Sequence, residues 1–302
     1  MITIFTVPKR FNGHIGLIQR NAILSWKKLS PECEIILLGD DQGVAEVADE
    51  FGLIHIRQIK KNKYGTPLIS DIFEKAQKRA KNKILAYVNA DIILMDDFLK
   101  AVSRVNFDKF LIVGRRYDLD VKEEIDYENK NWQEELKKRI EKEGSLHGYA
   151  GIDYFIFPKG LWQFIPSFAI GRTAWDNWFL YKAWKKNYPL IDATASIAIV
   201  HQNHDYSHHK KGKAGIWKGV EAKENLKLAG GYANLLTIRD ANFILTNSRI
   251  KKPKLTAYRI FSWPFRYFIK APLFIKLFLW PGWLAMLLYR KIRISLLNLK
   301  IK

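Results

Sequence analysis

The stretch that most constrains this chain is an apolar run broken by two polar residues, Lys83-Ile84-Leu85-Ala86-Tyr87-Val88-Asn89-Ala90-Asp91-Ile92-Ile93-Leu94. Its length and β-branched content are those of a strand buried on both faces. Asn89 and Asp91 are two residues apart, so an extended backbone sends both side chains from one face. A carboxylate at the end of a buried strand is costly to desolvate unless something pairs with it. A divalent cation is a natural partner, because hard cations take oxygen ligands. The competing expectation is a strand that simply ends in a turn at Asn-Ala-Asp.

The flanking chain bears on the choice. Ile2 to Val7 alternates and is rich in β formers, giving a strand that Pro8 ends. After a loop over 9–16, Ile15, Ile18, Ala22, Trp26 and Leu29 recur at helical spacing, and Ser30-Pro31 stops the helix. Residues 34–38 read as a second strand ending at Gly39-Asp40-Asp41, 44–51 as a short helix, and 53–59 as a third strand. Thr66 suits the N-cap and Pro67 the first position of a helix running to about Ala80. Strands and helices thus alternate up to Leu94, the order of a parallel α/β sheet with crossover helices. Ligands of such sheets sit beyond the carboxyl ends of the strands, where Thr6, Asp40 and Asp91 all fall.

Further along, 96–105 reads as helix and 110–114 as strand. The highly charged stretch 118–144 reads as an insertion or mobile segment with one helix around 132–143, a solvated surface more than a catalytic part. A glycine-bearing strand spans 148–157 and a helical turn 161–165. Trp175-Asp176-Asn177-Trp178 opens a helix to about Asn187. A strand over 191–200 leads into His201-Gln202-Asn203-His204-Asp205-Tyr206-Ser207-His208-His209.

Asn89-Ala90-Asp91 at a strand end resembles the Asp-x-Asp signature of GT-A glycosyltransferases, in which the second Asp binds a metal that carries a nucleotide-sugar diphosphate. This copy opens with Asn. The resemblance covers the order and spacing of roughly residues 1 to 210. It implies an α/β fold of GT-A (Rossmann-like) type, a mostly parallel sheet with flanking helices. Thr6 and Pro8 would border the base and ribose, and Asp40 would accept from the base unless it merely forms a Gly-Asp turn. Asn89 and Asp91 would face the donor diphosphate. Asp176 matches the acceptor-side acidic motif whose Asp is the general base of inverting enzymes, although the family's usual Glu-Asp is Trp-Asp here. Otherwise Asp176 is a helix-start carboxylate stabilised by the macrodipole. Trp175 and Trp178 offer rings to stack on sugar faces. Gly151 and Asp153 would line the acceptor side, with Asp153 the reserve base or an ordinary strand-end polar residue. Beside Asp91, His201 and then His204 are the candidate metal ligands, for Mn²⁺ or Mg²⁺. A zinc site lacks cysteines and a closed ligand set, and a nonspecific His-rich loop is the third reading of that tract.

Charge and composition add the rest. The single cysteine, Cys33, permits no internal disulfide and fits a reducing compartment. Ile2 to Val7 is too short for a signal core. Of the net charge of +20, 13 basic residues between Arg249 and Lys302 stand without any acidic residue after Asp240, which leaves +7 for the chain before them. The stretch from Tyr258 to Tyr289 is densely aromatic, and Pro264, Pro272 and Pro281 divide it. Its longest uncharged run, Leu277 to Tyr289, is shorter than the roughly 20 residues that cross a bilayer. Aromatics with basic residues and no acids point to an anionic membrane surface. The alternatives are a helix packed on the main domain and a re-entrant or spanning segment.

These features together give a catalytic domain over 1–245 and a basic, aromatic, amphipathic helical tail over 246–302. The expected function is metal-dependent transfer of a sugar from a nucleotide-diphosphate donor to a hydroxyl of a lipid-linked or envelope glycan, with inversion. The expected place is the cytoplasmic face of the cell membrane, and no nucleic acid partner is expected. A sugar nucleotidyltransferase would need a glycine-rich basic loop after the first strand, where only Gly13 and Gly16 occur. A non-catalytic basic membrane- or nucleic-acid-binding protein would explain the charge but leave Asn89, Asp91, Asp176 and the histidines without a purpose.

Overall fold

A computed structural model describes residues 1–204 and 217–260, with the single residues 262, 284 and 288. Its centre is a nine-stranded, mostly parallel sheet. The first half alternates as the sequence predicts: β1 (Ile2–Thr6), α1 (Gly13–Leu29), β2 (Glu34–Leu38), α2 (Val44–Phe51), β3 (Ile54–Ile56), α3 (Ile69–Arg79) and β4 (Ile84–Val88). Then come β5 (Ile92–Ile93), α4 (Asp97–Val102), β6 (Leu111–Val113), β7 (Tyr117–Leu119), α5 (Trp132–Glu143), β8 (Ser145–Leu146) and β9 (Tyr154–Pro158). The last described elements are α6 (Trp175–Lys185), β10 (Leu190–Asp192), β11 (Val200–Gln202), α7 (Val220–Leu228), β12 (Phe243–Leu245) and β13 (Ile250–Lys251), with short 3-10 turns at Tyr232–Asn234 and Ile238–Asp240.

The large sheet has the order β13-β12-β10-β6-β9-β4-β1-β2-β3. β1 pairs in parallel with β2 and β4, β2 with β3, and β10 with β6 and β12. β9 runs antiparallel between β4 and β6, and β13 antiparallel on β12. Alternating residues of the central strands feed two apolar layers. Phe5, Leu85 and Tyr87 enter one layer with α3 and α6; Ile4, Ala86 and Val88 enter the other with α1, α2 and α4. Both faces are covered, which is why these strands read as continuous apolar runs.

The expected single strand over 83–94 divides. β4 stops at Val88, Asn89 to Asp91 form a turn closed by the Ile92 amide on the Asn89 carbonyl (3.1 Å), and β5 belongs to a second sheet. That sheet has the order β5-β11-β7-β8. The expected strand 191–200 splits the same way. β10 stays in the large sheet and β11 enters the small one, because the Ala193 carbonyl accepts from the amides of Ser196 (2.8 Å) and Ile197 (2.9 Å) and turns the chain between them. The Trp26 indole donates to the Ile92 carbonyl (2.8 Å) and the Leu94 amide to the Ser25 hydroxyl (3.0 Å), which fixes β5 on α1.

Other departures are local. α1 begins at Gly13, inside the expected loop, since the Gly16 amide already bonds the Asn12 carbonyl (3.1 Å). Thr66 and Pro67 do not cap α3: both lie in an extended stretch bridged to Lys61 and Ala169, and the helix starts at Ile69 with no side-chain cap. Residues 161–165 form no helical turn, and of the strand expected over 148–157 only 154–157 pairs as strand, which continues to Pro158. The segment 118–144 is not a loose insertion. Leu119, Val121, Tyr127, Trp132, Leu136 and Ile140 make a small core of their own with Ile93, Met95 and Val200. The large sheet runs past residue 245 through β13. The Tyr258 hydroxyl then donates to Asp240 (2.8 Å) and Arg259 to the Ala241 carbonyl (2.7 Å). Among the described residues, no helix is long and apolar enough to cross a membrane. The run Leu277 to Tyr289 lies outside the described residues apart from 284 and 288.

Candidate active site

The turn after β4 sets Asp91 where β11 arrives from the opposite direction. β5 and β11 pair His201 with Ile92, and Gln202 ties them further. Its backbone amide (3.2 Å) and side-chain amide (3.1 Å) both donate to the Asp91 carbonyl, and the side chain also reaches the Ile18 carbonyl (2.7 Å). This fully buried glutamine in a histidine-rich tract is a scaffold residue that the sequence reading passed over. It leaves His201 and His204 on Asp91, with Nε2 to Oδ2 distances of 3.7 and 3.1 Å.

Asp91, His201 and His204 each offer a ligand atom, and these atoms lie within 4.8 Å of one another. The other carboxylate oxygen, Oδ1 of Asp91, is buried without a hydrogen-bond partner among the described residues. One carboxylate and two imidazoles with an orphaned buried oxygen fit a divalent ion such as Mn²⁺. Burial would raise the Asp91 pKa, but His201, His204 and Lys9 outweigh it and hold the carboxyl below its ordinary range. His208 and His209, the remaining histidines of the tract, lie outside the described residues.

Behind the histidines stands a group that the sequence did not single out. Asp118 on β7 puts Oδ1 3.2 Å from His201 Nδ1, accepts from Arg116 Nε (2.8 Å), and meets His147 Nδ1 at 2.7 Å. The Asp118 contact is close without being an aligned hydrogen bond, since His201 Nδ1 has no hydrogen-bond partner among the described residues; the negative charge behind the imidazole still favours the tautomer and ring orientation that face it. Burial opposes the charge on Asp118, but His147, His201 and Arg116 hold its carboxyl well below the usual range. Only parallel pairing of β7 with β11 brings Asp118 beside His201. In sequence they are 83 residues apart, and Asp118 reads as one charge among many.

Arg116 also links Asp118 to Asp153, reaching both oxygens of Asp153 from Nη1 (2.7 and 2.6 Å), while Asn89 donates to Asp153 Oδ1 at 2.8 Å. Two expectations change here. Asn89 does not stand beside Asp91 as a donor-facing ligand; the turn directs it to Asp153, and it accepts from the Tyr87 hydroxyl at 3.0 Å. Asp153 is committed to a buried ion pair and is a poor reserve base.

Asp176 differs. It sits half-buried in the first turn of α6, and its Oδ1 accepts from the following amide, Asn177 N, at 2.9 Å, with no side-chain donor among the described residues. Burial first, then the charge of Asp153, push its pKa up to about 7. The preceding Ala174 has φ 85°, a backbone conformation that costs a residue with a Cβ about 1–3 kcal/mol. That strained residue starts α6, and its carbonyl accepts from Trp178 N (3.0 Å).

The remaining expected residues divide. Trp175 and Trp178 are not sugar platforms. Trp175 is 5% exposed, edge-on to Tyr87 and tilted against Phe155, and Trp178 is 6% exposed against Phe168 and Phe179. Six of the eleven residues of α6 are buried, and these rings belong to that buried side. Thr6 and Pro8 are buried at the carboxyl end of β1, where the Thr6 hydroxyl has no partner among the described residues. Asp40 is exposed after β2 and ion-paired with Lys61 at 2.6 Å, which lowers its pKa. Gly151 lies under His147: a Cβ there would come within 2.7 Å of the imidazole, so only glycine fits without displacing it.

No family model and no curated protein matches the chain. Among solved structures, S. aureus TarS 1–349 is 12% identical over 89% of this chain and 79% of that one, with a TM-score of 0.46. The TarS complex with UDP-GlcNAc matches 39% of this chain at 16% identity and a TM-score of 0.31, and the match spans only about a third of that protein's length, 35%. Glucosyl-3-phosphoglycerate synthase from Mycobacterium tuberculosis, in complex with Mg²⁺ and UDP, is 10% identical over 76% of this chain and 80% of that one, with a TM-score of 0.45.

Proposed function

We propose that the chain is a metal-dependent glycosyltransferase of GT-A type, which moves a sugar from a nucleotide-diphosphate donor to an acceptor hydroxyl. The observation that carries this reading is the convergence of Asp91, His201 and His204 beyond the carboxyl ends of the sheet, around an orphaned carboxylate oxygen. Asp91 and the two imidazoles would hold Mn²⁺ or Mg²⁺, with Asp118 keeping His201 in place. When bound there, such an ion supplies positive charge against a departing diphosphate.

The chain's own residues divide the remaining work. Thr6 and Pro8, both buried at the carboxyl end of β1, would border the base and ribose by packing beneath them. Asp176 takes the proton from the acceptor hydroxyl; a pKa of about 7 gives it basicity while leaving it largely ionised just above neutrality. Asp153, Arg116 and Asn89 form a hydrogen-bonded polar group beside the metal ligands. A single base acting on the acceptor implies inversion, so that an α-linked donor gives a β-linked product. The acid-free aromatic tail supports a lipid-linked or envelope glycan as acceptor, at the cytoplasmic face of the membrane.

The test is hydrolysis of a panel of nucleotide sugars by the purified chain with Mn²⁺, beside Asp91→Ala. One donor should be hydrolysed by the wild type and spared without metal. Asp91→Ala should lose metal-dependent binding of the matching nucleoside diphosphate while keeping its far-UV circular dichroism. Equal nucleotide affinity in both proteins, with and without Mn²⁺, would sink the reading.

A further inference from the structure

We propose that Arg115, Tyr149 and Arg239 form a site, beside Asp176, for an anionic group carried by the acceptor, a phosphate or a carboxylate. The proposal rests on the transferase reading above. The Arg115 guanidinium lies 4.3 Å over the Tyr149 ring. Arg239 lies 5.2 Å from the same ring and 4.3 Å from that of Tyr258. Two guanidinium groups on one ring repel each other, yet among the described residues neither has a carboxylate at ion-pair distance. Other arginines of the chain do: Arg116 has Asp118 and Asp153, and Arg172 has Glu221. The carboxylate of Asp192 is already held by Thr194, whose hydroxyl and amide donate to it at 2.6 and 2.9 Å.

The donors point to the same conclusion. A guanidinium carries five N–H groups. Arg115 uses Nε on the His147 carbonyl (2.6 Å) and one Nη on the Leu146 carbonyl (3.2 Å); Arg239 makes no hydrogen bond among the described residues. Stacking on tyrosine faces holds the planes while leaving their N–H edges available. An oxyanion matches that edge in a bidentate fashion and supplies the missing counter-charge.

The location gives the cluster its purpose. Arg115 follows the carboxyl end of β6, and Arg239 lies in the turn Ile238–Asp240. The Arg239 loop and the Tyr149 segment are tied to the residue after Asp176: Asn177 Nδ2 donates to the Leu236 carbonyl (2.8 Å) and the Ala150 carbonyl (3.5 Å), and the Ile238 amide bonds the Tyr149 carbonyl (3.1 Å); Arg115 joins that segment through its bonds to the Leu146 and His147 carbonyls. An acceptor whose hydroxyl meets Asp176 would therefore place a neighbouring anionic substituent against the two arginines.

The experiment titrates the full chain, with and without UDP and Mn²⁺, against sn-glycerol 3-phosphate and glycerol, and against glucuronate and glucose, by saturation-transfer NMR. Wild type should bind at least one anion and neither neutral partner, and which anion binds identifies phosphate or carboxylate. Arg239→Gln removes no hydrogen bond among the described residues and should weaken that binding about tenfold or more. Arg115→Lys, which keeps the charge but not the fork, should weaken it less. Absence of binding by either anion, or equal binding by Arg239→Gln, overturns the proposal. So does loss of UDP affinity in Arg239→Gln, because the arginine would then serve the donor. If wild type fails to bind UDP with Mn²⁺, the transferase reading falls, while the titration without nucleotide still reports on this site.

Discussion

At the scale of single residues, the site contrasts two carboxylates that sequence order alone left as first and second choice. Asp153 is ion-paired with Arg116 and accepts from Asn89; Asp176 has backbone donors but no side-chain donor or cation among the described residues, and a pKa of about 7. The raised value has two consequences. Transfer should climb with pH up to about 7, as the base ionises. Stability moves the other way: the folded chain binds that proton more tightly than the unfolded chain, so its contribution is present at low pH and is lost as pH rises through about 7. Asp176→Asn should therefore lower turnover by about 10²–10⁴ with donor affinity unchanged. It should also raise Tm at pH 8 and change it little at pH 4; turnover and thermal melts at both values check this. Asp118 carries the second prediction at this scale. Asp118→Asn should weaken Mn²⁺ binding about 10–100-fold, because His201 loses its orienting partner, and calorimetric titration of the metal reads this without any substrate. Asp91, Asp176 and the histidines were legible in sequence because each stands at the end of an apolar run or the start of a helix. Asp118, Arg116 and His147 were not, since their pairing depends on β7 meeting β11 and β8, contacts between residues far apart in the chain.

At the scale of elements, the alternating first half was readable because each strand is a run buried on both faces and each helix has one apolar stripe. What failed to show was where a continuous apolar run changes sheets. Both 83–94 and 191–200 look like single strands, because hydrophobicity reports burial and is blind to which sheet does the burying. The charged segment 118–144 misled for the opposite reason. Its apolar residues are sparse, yet six of them close over Ile93, Met95 and Val200 on the back of the small sheet. The trio Trp175, Trp178 and Phe179 shows a third limit: aromatic residues at a helix start can be core as readily as binding surface. The small core yields a prediction that separates scaffold from chemistry. Trp132 is 7% exposed and meets the Tyr127 ring edge-on at 4.9 Å. Trp132→Ala should cost about 3–5 kcal/mol locally. The loss should free α5, raise amide exchange across 117–146, and weaken Mn²⁺ binding through Asp118, while exchange in β1, β2 and β4 stays slow. Uniform exchange across both sheets would show that the small sheet is not a separate unit.

At the scale of the whole molecule, the question is where the folded body ends and what the rest of the chain adds. The sheet does not stop at 245: β13 pairs on β12, Tyr258 and Arg259 bond back to 240–241, and Ser262 is 1% exposed. Cutting near 250 would strip an edge strand and these contacts, so a loss of binding in such a protein could come from a damaged fold. The informative truncation follows residue 262. The 40 residues beyond it contain eight lysines and arginines and no aspartate or glutamate, with Trp263, Phe265, Trp280 and Trp283 among them. Basic residues near an anionic bilayer contribute on the order of 1 kcal/mol each, and aromatic rings add interfacial anchoring. Chain 1–262 should keep the Tm and the Mn²⁺ affinity of the full protein, yet leave the pellet when sedimented with vesicles containing phosphatidylserine. The full chain should pellet at low salt, and by a smaller fraction at 0.5 M, where the Debye length falls to about 4 Å. If chain 1–262 pellets as fully as the intact protein, the anchor lies on the folded body and the tail has another purpose. If it loses both Tm and metal affinity, the body extends further still.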